Sequence, residues 1–369
     1  MPKIAFVSNS SFSMYYFRKG VLKYFIEQGY EVHVIAPVDH KTHEVQNLGC
    51  YFHPIQFQTK TLNPLQELKL YAQLKKVYAK IKPDIIFQYT IKPNIYGTTA
   101  AERLKIPSIA IITGLGYAFI TKRWINTLVK KMYRYALSKA TQVWFLNQDD
   151  IDYFINQKLV DSQKVVLLPG EGVNTTEFAP EPKQINDTHI RFLMIARVLW
   201  DKGVMEYVNA AQIVKSQYPN AIFQLLGPTD ADNPSAVSKS TVMQWHEAGY
   251  IDYLGTSQEV KNQIRDADCV VLPSYREGIS KVLMEAASMA KPLIATNVTG
   301  CKELIVHGEN GYLCEVKNAE SLAQCMLTFI QLGEQQRVRM GAASRTKMCA
   351  SFDEQYIIQY YKQTFEQIG

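Results

Sequence analysis

The six cysteines Cys50, Cys269, Cys301, Cys314, Cys325 and Cys349 are scattered and form no CxxC pair. That argues against a disulfide framework and for reduced thiols packed in apolar surroundings. The seven histidines make neither HxH nor HExxH, so no metal site is expected. No apolar run reaches the roughly 20 residues of a membrane span. The longest weakly polar stretch, Ile106 to Ile120, is interrupted by Gly114 and Gly116. No charged-then-apolar leader precedes the first strand-like run, Lys3-Ile4-Ala5-Phe6-Val7. That run leads into Ser8-Asn9-Ser10 and not into GxGxxG, which argues against a dinucleotide oxidoreductase. A reducing, cytoplasmic setting fits all of these absences.

Acidic residues are missing where cations gather. Between Glu102 and Asp149 there is none, while Arg103, Lys105, Lys122, Arg123, Lys130, Lys131, Arg134 and Lys139 are present. Residues 1–178 hold 22 Lys and Arg against 13 Asp and Glu, a net of +9, although the whole chain carries only +6. One half of the molecule is built to meet something negative.

With 369 residues, 47% of them hydrophobic and 20% charged, the chain reads as a two-domain globular protein. Short β-branched apolar runs alternate with segments of helical period. Strands are expected near 3–7, 31–36, 51–55, 84–88, 107–113, 141–146 and 163–168. A second set follows at 190–196, 221–226, 250–254, 268–272, 292–296 and 311–314. Helical period covers 63–80, 94–104, 122–139, 203–217, 279–290, 318–331 and 354–365. This alternation predicts α/β architecture with parallel sheets covered on both faces. The proline-bearing polar stretch 178–187 separates the sets, giving domains 1–177 and 178–352, with a last helix within about 353–369 that could pack back on the first domain. Two facing Rossmann-like domains would leave an interdomain cleft at the carboxyl ends of their strands, where open α/β sheets bind ligands.

Chemistry concentrates at two strand-to-helix turns of the second half. One carries Arg197 and Lys202 in Ala196-Arg197-Val198-Leu199-Trp200-Asp201-Lys202-Gly203. The other carries Glu277 and Glu285, eight residues apart, after Leu272-Pro273-Ser274-Tyr275. Two cations and two carboxylates suit an anion that also bears hydroxyls, such as a nucleotide sugar. A helix beginning near Ile279 would point its amides at a diphosphate, and Glu285 would lie about 9 Å further along the axis, near a ribose. A cation 4 Å from a leaving diphosphate contributes about 4 kcal/mol before desolvation. The competing reading makes the glutamates solvated helix residues and pairs Lys202 with Asp201 or a similar neighbour. Asp230-Ala231-Asp232 has the form of a metal-binding DxD, but its setting after Gly227-Pro228 reads as a polar loop near the nucleotide.

ARVLWDKG at 196–203, LPSYREGISKVLMEA at 272–286 and the GxxELI run at 300–305 resemble the donor half of a family-4 retaining glycosyltransferase of GT-B architecture. GVNTTEFAP (172–180) is similar to that family's end-of-first-domain motif. TIKPNIYG (90–97) and ITGLGYAF (112–119) resemble a subgroup working on bacterial lipid-linked surface glycans. The resemblance implies that Arg197 and Lys202 bind the donor diphosphate and that Glu277 lies against the transferred sugar. It further implies that Glu285 holds the ribose and that backbone amides at Gly278, Ile279 and Ser280 complete the phosphate site, with Gly227 nearby. It implies a metal-independent reaction without cofactor, retaining anomeric configuration. The donor would be a UDP-sugar, N-acetylhexosamine foremost, and the acceptor a polyprenyl-diphosphate-linked glycan at the inner face of the cell membrane.

On the acceptor side the sequence departs from many relatives, having no glycine-rich first loop and no histidine near Thr90 or Thr113. Ser10, Arg18, Lys92 and Gly116 are acceptor-side candidates by position alone. In 122–139, Trp124, Leu128, Met132 and Tyr135 recur at helical spacing, with Lys122, Arg123, Lys130, Lys131 and Arg134 around them. Such a helix is expected to lie on an anionic membrane, the alternative being a core helix with a basic outer face. A same-fold nucleotide-sugar epimerase or phosphorylase, or a non-catalytic binding relative, is disfavoured by the combined R-x4-K and E-x7-E. Nucleic acid is not expected, because no binding motif accompanies the charge.

Overall fold

The computed structural model describes residues 1–56, 63–114, 123–185, 188–229, 233–257 and 259–368, and at 123–125 the backbone alone. The chain forms two compact units: Met1–Gly172 with Glu354–Gly369, and Val173–Asp353.

In the first unit the described strands are β1 (Lys3–Val7), β2 (Glu31–Ala36), β3 (Tyr51–Pro54), β4 (Ile85–Tyr89), β5 (Ser108–Ile112), β6 (Gln142–Phe145) and β7 (Val165–Leu167). They pair in parallel in the order β3-β2-β1-β4-β5-β6-β7. Between them run α1 (Ser11–Glu27), α2 (Thr42–Asn47), α3 (Pro64–Ile81), a π-helical turn (Pro93–Gly97) continuing into α4 (Thr98–Arg103), α5 (Arg123–Lys139) and α6 (Gln148–Asn156). The direction of strand addition reverses between β1 and β4, and that switch sorts the helices onto two faces.

Register shows the sorting. Ala5 pairs with Ile86, Gln88 with Ala110, and Ala110 with Val143, so these residues share one face. Leu70, Leu74 and Tyr78 of α3 and Val129, Tyr133 and Ala136 of α5 pack on that same face. The alternating residues Phe6, Phe87 and Trp144 form an aromatic face that surrounds Tyr361, with ring centroids 6.2, 4.7 and 4.9 Å away. Tyr361 belongs to the final helix described (Glu354–Ile368), which also packs on α1.

Each helix has a local cause. In α3, Asn63 caps the Leu65 amide, Pro64 supplies a preset first turn, and Lys82 ends the helix in the left-handed region at φ 52°. In α5 the buried stripe is Val129, Tyr133, Ala136 and Leu137, while Leu128 and Tyr135 are exposed. The expected apolar stripe through 124, 128, 132 and 135 is therefore corrected: of its described side chains only Met132 packs against the core. Two of the basic residues expected to face a membrane are tied to the end of α6 instead. Arg134 donates to the Lys158 and Gln157 carbonyls at 2.8 and 3.1 Å, and Lys130 to Gln157 Oε1 at 2.8 Å. Gly116 and Lys122, and the side chains of Arg123 and Trp124, lie outside the described residues.

The second unit repeats the plan. Its described strands, β8 (Arg191–Ile195), β9 (Ile222–Leu226), β10 (Asp252–Gly255), β11 (Cys269–Leu272), β12 (Leu293–Thr296) and β13 (Gly311–Cys314), order as β10-β9-β8-β11-β12-β13. Its helices are α7 (Val204–Gln217), α8 (Lys239–Glu247), α9 (Val260–Asp266), α10 (Lys281–Ser288), α11 (Ala319–Gln331) and α12 (Glu334–Ser351). Relative to its first strand this is again the order 3-2-1-4-5-6, so its switch point falls between β8 and β11.

Candidate functional site

The two chemistry-bearing turns follow β8 and β11, neighbouring strands between which the order reverses. Topology thus places Arg197 and Lys202 beside Glu277 at the ligand-binding edge of an open sheet. The side chains meet: Lys202 Nζ donates to Glu277 Oε1 at 2.6 Å, and both groups are largely shielded from solvent. Asp201, the neighbour that could have claimed Lys202, accepts instead from the Ser235 hydroxyl at 2.8 Å. Arg197 lies at the mouth of the same loop with its side chain exposed.

Backbone contacts hold the two turns together. Gly203 sits at φ +74°, and a Cβ there would stand 2.0 Å from the Pro273 carbonyl oxygen. The Tyr275 amide donates to the Asp201 carbonyl at 2.9 Å, closing the second link. Gly300 (φ +83°), in the loop after β12, leaves room for Glu277, whose backbone would lie 2.6 Å from an added Cβ. The Glu277 amide donates to the Thr299 carbonyl at 3.0 Å. The carboxylate position is therefore fixed by a third loop that sequence reading did not connect to it. Tyr275 adds support, its hydroxyl donating to Glu206 at 2.7 Å; burial, and then that carboxylate, raise the phenol's pKa.

The helix geometry corrects one expectation. α10 starts at Lys281, close to the expected start near Ile279, and the Ser280 side chain caps the Leu283 amide at 3.3 Å. The Ser280 amide, expected to face the phosphate, donates to the Gly300 carbonyl at 2.9 Å. Glu285 lies on α10 and is only 1% exposed. A carboxylate buried to that degree is costly unless it is paired or hydrogen-bonded. Gly227, expected near the donor, has a backbone role at this edge. Its amide donates to Gly255 and its carbonyl accepts from Tyr253, and a Cβ there would strike the Ala196 carbonyl at 1.7 Å. It brings the ends of β9 and β8 together. Asp230 and Asp232 lie outside the described residues; among those described, no group of acids, histidines and cysteines could hold a metal ion.

In the first unit, three acceptor-side candidates have structural partners. Ser10 is the N-cap of α1, accepting from the Ser13 amide at 3.1 Å. Arg18 is 3% exposed and sits in the core, corrected from the ligand-facing role. It forms an ion pair with Glu171, and its guanidinium lies 4.1 Å from the Tyr89 ring centroid. The Tyr89 and Tyr361 hydroxyls bond each other at 2.7 Å in the same cluster, so the ion pair ties α1, β4, the stretch after β7 and the final helix. The nearby Glu171 and tyrosines raise the Arg18 pKa against the opposing effect of burial. Lys92 donates to Glu67 Oε1 at 2.6 Å. A feature that sequence reading missed stands at this unit's switch point: Thr90, just after β4, adopts φ +70°, rare for a β-branched residue and typical of functional edges. Nothing in a single threonine signals that conformation.

Comparison with known proteins adds identity to this geometry. Residues 175–347 match the family described as Glycosyl transferases group 1, and residues 3–147 match Glycosyl transferase 4-like. The chain is 29% identical over 383 residues to the N,N'-diacetylbacillosaminyl-diphospho-undecaprenol alpha-1,3-N-acetylgalactosaminyltransferase of Campylobacter jejuni, covering 99% of each chain. It is 25% identical to the UDP-Gal:alpha-D-GlcNAc-diphosphoundecaprenol alpha-1,3-galactosyltransferase of Escherichia coli, covering 73% of this chain and 72% of that one. Among solved structures, Anabaena HepE in complex with UDP-glucose aligns over 100% of both chains with TM-score 0.82 at 18% identity, a likeness of fold. A Rickettsia africae glycosyltransferase gives TM-score 0.82 at 19% identity, covering 100% of this chain and 98% of that one. With one family match on each unit and GT-B neighbours along its whole length, the chain belongs to the group 1, family-4-like glycosyltransferases.

Proposed function

We propose that this glycosyltransferase moves a sugar, N-acetylhexosamine foremost, from a UDP donor to a polyprenyl-diphosphate-linked glycan in bacterial surface-glycan assembly. The observation that carries the reading is the Lys202–Glu277 contact at the switch point of the second unit. Similarity to the Campylobacter jejuni enzyme along nearly the whole chain supports the choice of sugar and acceptor class.

In this reading the second unit binds the donor and the first receives the acceptor. Lys202 and Arg197 face the diphosphate. As the bond from the anomeric carbon to the phosphate oxygen breaks, its electron pair goes to that oxygen, and the two cations stabilise the added charge. Glu277 sets the position of the Lys202 ammonium and lies against the sugar, while Glu285 receives the ribose hydroxyls. The acceptor hydroxyl attacks the face the diphosphate leaves and passes its proton to the departing phosphate oxygen, which retains configuration, with no metal required. The enzyme works at the inner face of the cell membrane in peripheral contact with it. Among the described residues no helix is long and apolar enough to cross a membrane.

The test is product formation, read by mass spectrometry, from a panel of UDP-sugars and a polyprenyl-diphosphate-sugar acceptor. Arg197→Ala and Lys202→Ala should each lower turnover by about 10²-fold or more with the fold intact. Near-normal turnover in both variants would sink the assignment. In parallel, a donor that binds raises the melting temperature as its concentration passes its dissociation constant, which identifies the base and sugar.

A further inference from the structure

The exposed side of α3 is unusual in both composition and arrangement. Its inner stripe, including Leu70, Leu74, Tyr78 and Ile81, is buried on the sheet. Its outer stripe carries Lys69, Lys75, Lys76 and Lys80, all exposed, and none forms a salt bridge among the described residues. The one acid of the helix, Glu67, points inward and accepts from Lys92. At the start of the same outer stripe stand Leu65 and Leu68, 78% and 63% exposed. A face of four cations and two bare leucines, with no acid, does not match an ordinary solvated helix, whose outer positions mix charges of both signs.

We propose that this face of α3 docks the first unit on an anionic lipid bilayer. Charge complementarity selects the partner: lysines attract acidic headgroups, each strengthening binding about fivefold, and their stems can lie along the apolar boundary while the ammonium reaches water. The leucines select a bilayer over a nucleic acid, since exposed aliphatic side chains gain nothing from a phosphate backbone but enter the headgroup boundary readily. Placement agrees. Leu65 and Leu68 lie in the first turns of α3, which begins beyond β3 at the carboxyl edge of the sheet, where open α/β sheets bind ligands. Helix α5 packs on the same sheet face and shows exposed Lys131 and Lys139 with exposed Leu128 and Tyr135. The surface expected from α5 alone is thus centred on α3, with α5 as its flank. This deepens the proposed function and rests on its lipid-linked acceptor.

The test is flotation of the full chain with vesicles of phosphatidylcholine alone and of phosphatidylcholine with phosphatidylglycerol. Lys75→Glu/Lys76→Glu is compared with Lys23→Glu/Lys362→Glu, the same charge change on α1 and the final helix. Partitioning onto the anionic vesicles should fall about 30-fold or more for the α3 pair and less than about threefold for the control pair. Leu65→Ser/Leu68→Ser should lose about tenfold on the same vesicles. Equal losses in the two charge pairs, or an α3 pair that floats like wild type, would overturn the proposal. So would binding to heparin or RNA that the leucine changes leave untouched while vesicles are ignored. Melting with UDP-sugars is run on every variant. Ligand stabilisation kept in the α3 pair assigns its loss to docking. A wild type that answers to no nucleotide sugar yet floats overturns the donor reading and leaves the docking surface standing.

Discussion

Lys202 and Glu277 belong to turns that follow adjacent strands, and their side chains meet at 2.6 Å although 75 residues separate them. The contact makes each a positioning element for the other. Glu277→Gln keeps the shape, removes the charge and weakens the restraint on the ammonium. Turnover is expected to fall by about tenfold or more with little change in melting temperature. An unchanged kcat would separate Glu277 from the reaction.

Gly203 is expected to be intolerant of any side chain. At φ +74° with the Pro273 carbonyl 2.0 Å from an added Cβ, Gly203→Ala must push the two turns apart. A loss of about 2 kcal/mol or more in urea unfolding is expected, with turnover lost alongside. Glycine at this position is dictated by a neighbouring backbone.

The buried pair of Arg18 and Glu171 predicts a strongly asymmetric pair of mutants. Arg18→Met leaves a buried carboxylate without its cation, at a cost of about 3–5 kcal/mol. Arg18→Met/Glu171→Gln should recover a large part of that loss, read by the same denaturation curves. Equal stability of the single and double variants would show that Glu171 is indifferent to its partner.

His33 gives the first unit a pH response. Burial and the neighbouring His53, whose Nε2 lies 3.0 Å from its Nδ1, lower its pKa from 6.5 to about 4. The unfolded chain therefore binds a proton that the folded state refuses between those values. Stability is unaffected above about pH 7 and declines as pH falls through 6.5 to about 4, by up to about 3 kcal/mol. His33→Gln should flatten that part of the profile, measured by urea unfolding from pH 4 to 8.

Much of this fold was legible because it rests on local signals. β-branched runs marked the strands to within a residue or two, as at Lys3–Val7 and Glu31–Ala36. Arg197, Lys202 and Glu277 lay on the two turns that strand order brings side by side, with Glu285 on the helix that follows. Harder to read were properties decided by distant partners. Ser280 looks like a helix residue until its side chain is seen capping Leu283. Arg18 looks like a surface cation until Glu171, 153 residues later, is found against it. On α5, periodicity suggested the stripe through 124, 128, 132 and 135, and only packing on β5 and β6 shows that Val129, Tyr133, Ala136 and Leu137 are the buried one.

Tyr361 fills the aromatic face formed by Phe6, Phe87 and Trp144, yet it is synthesised after every residue of the second unit. On the ribosome the second unit, one unbroken stretch, can complete its interior while the first still exposes a slot lined by three large rings. The first unit made in sequence is thus the last one finished in time. Chaperones that read exposed aromatic surface have a long interval in which to hold it.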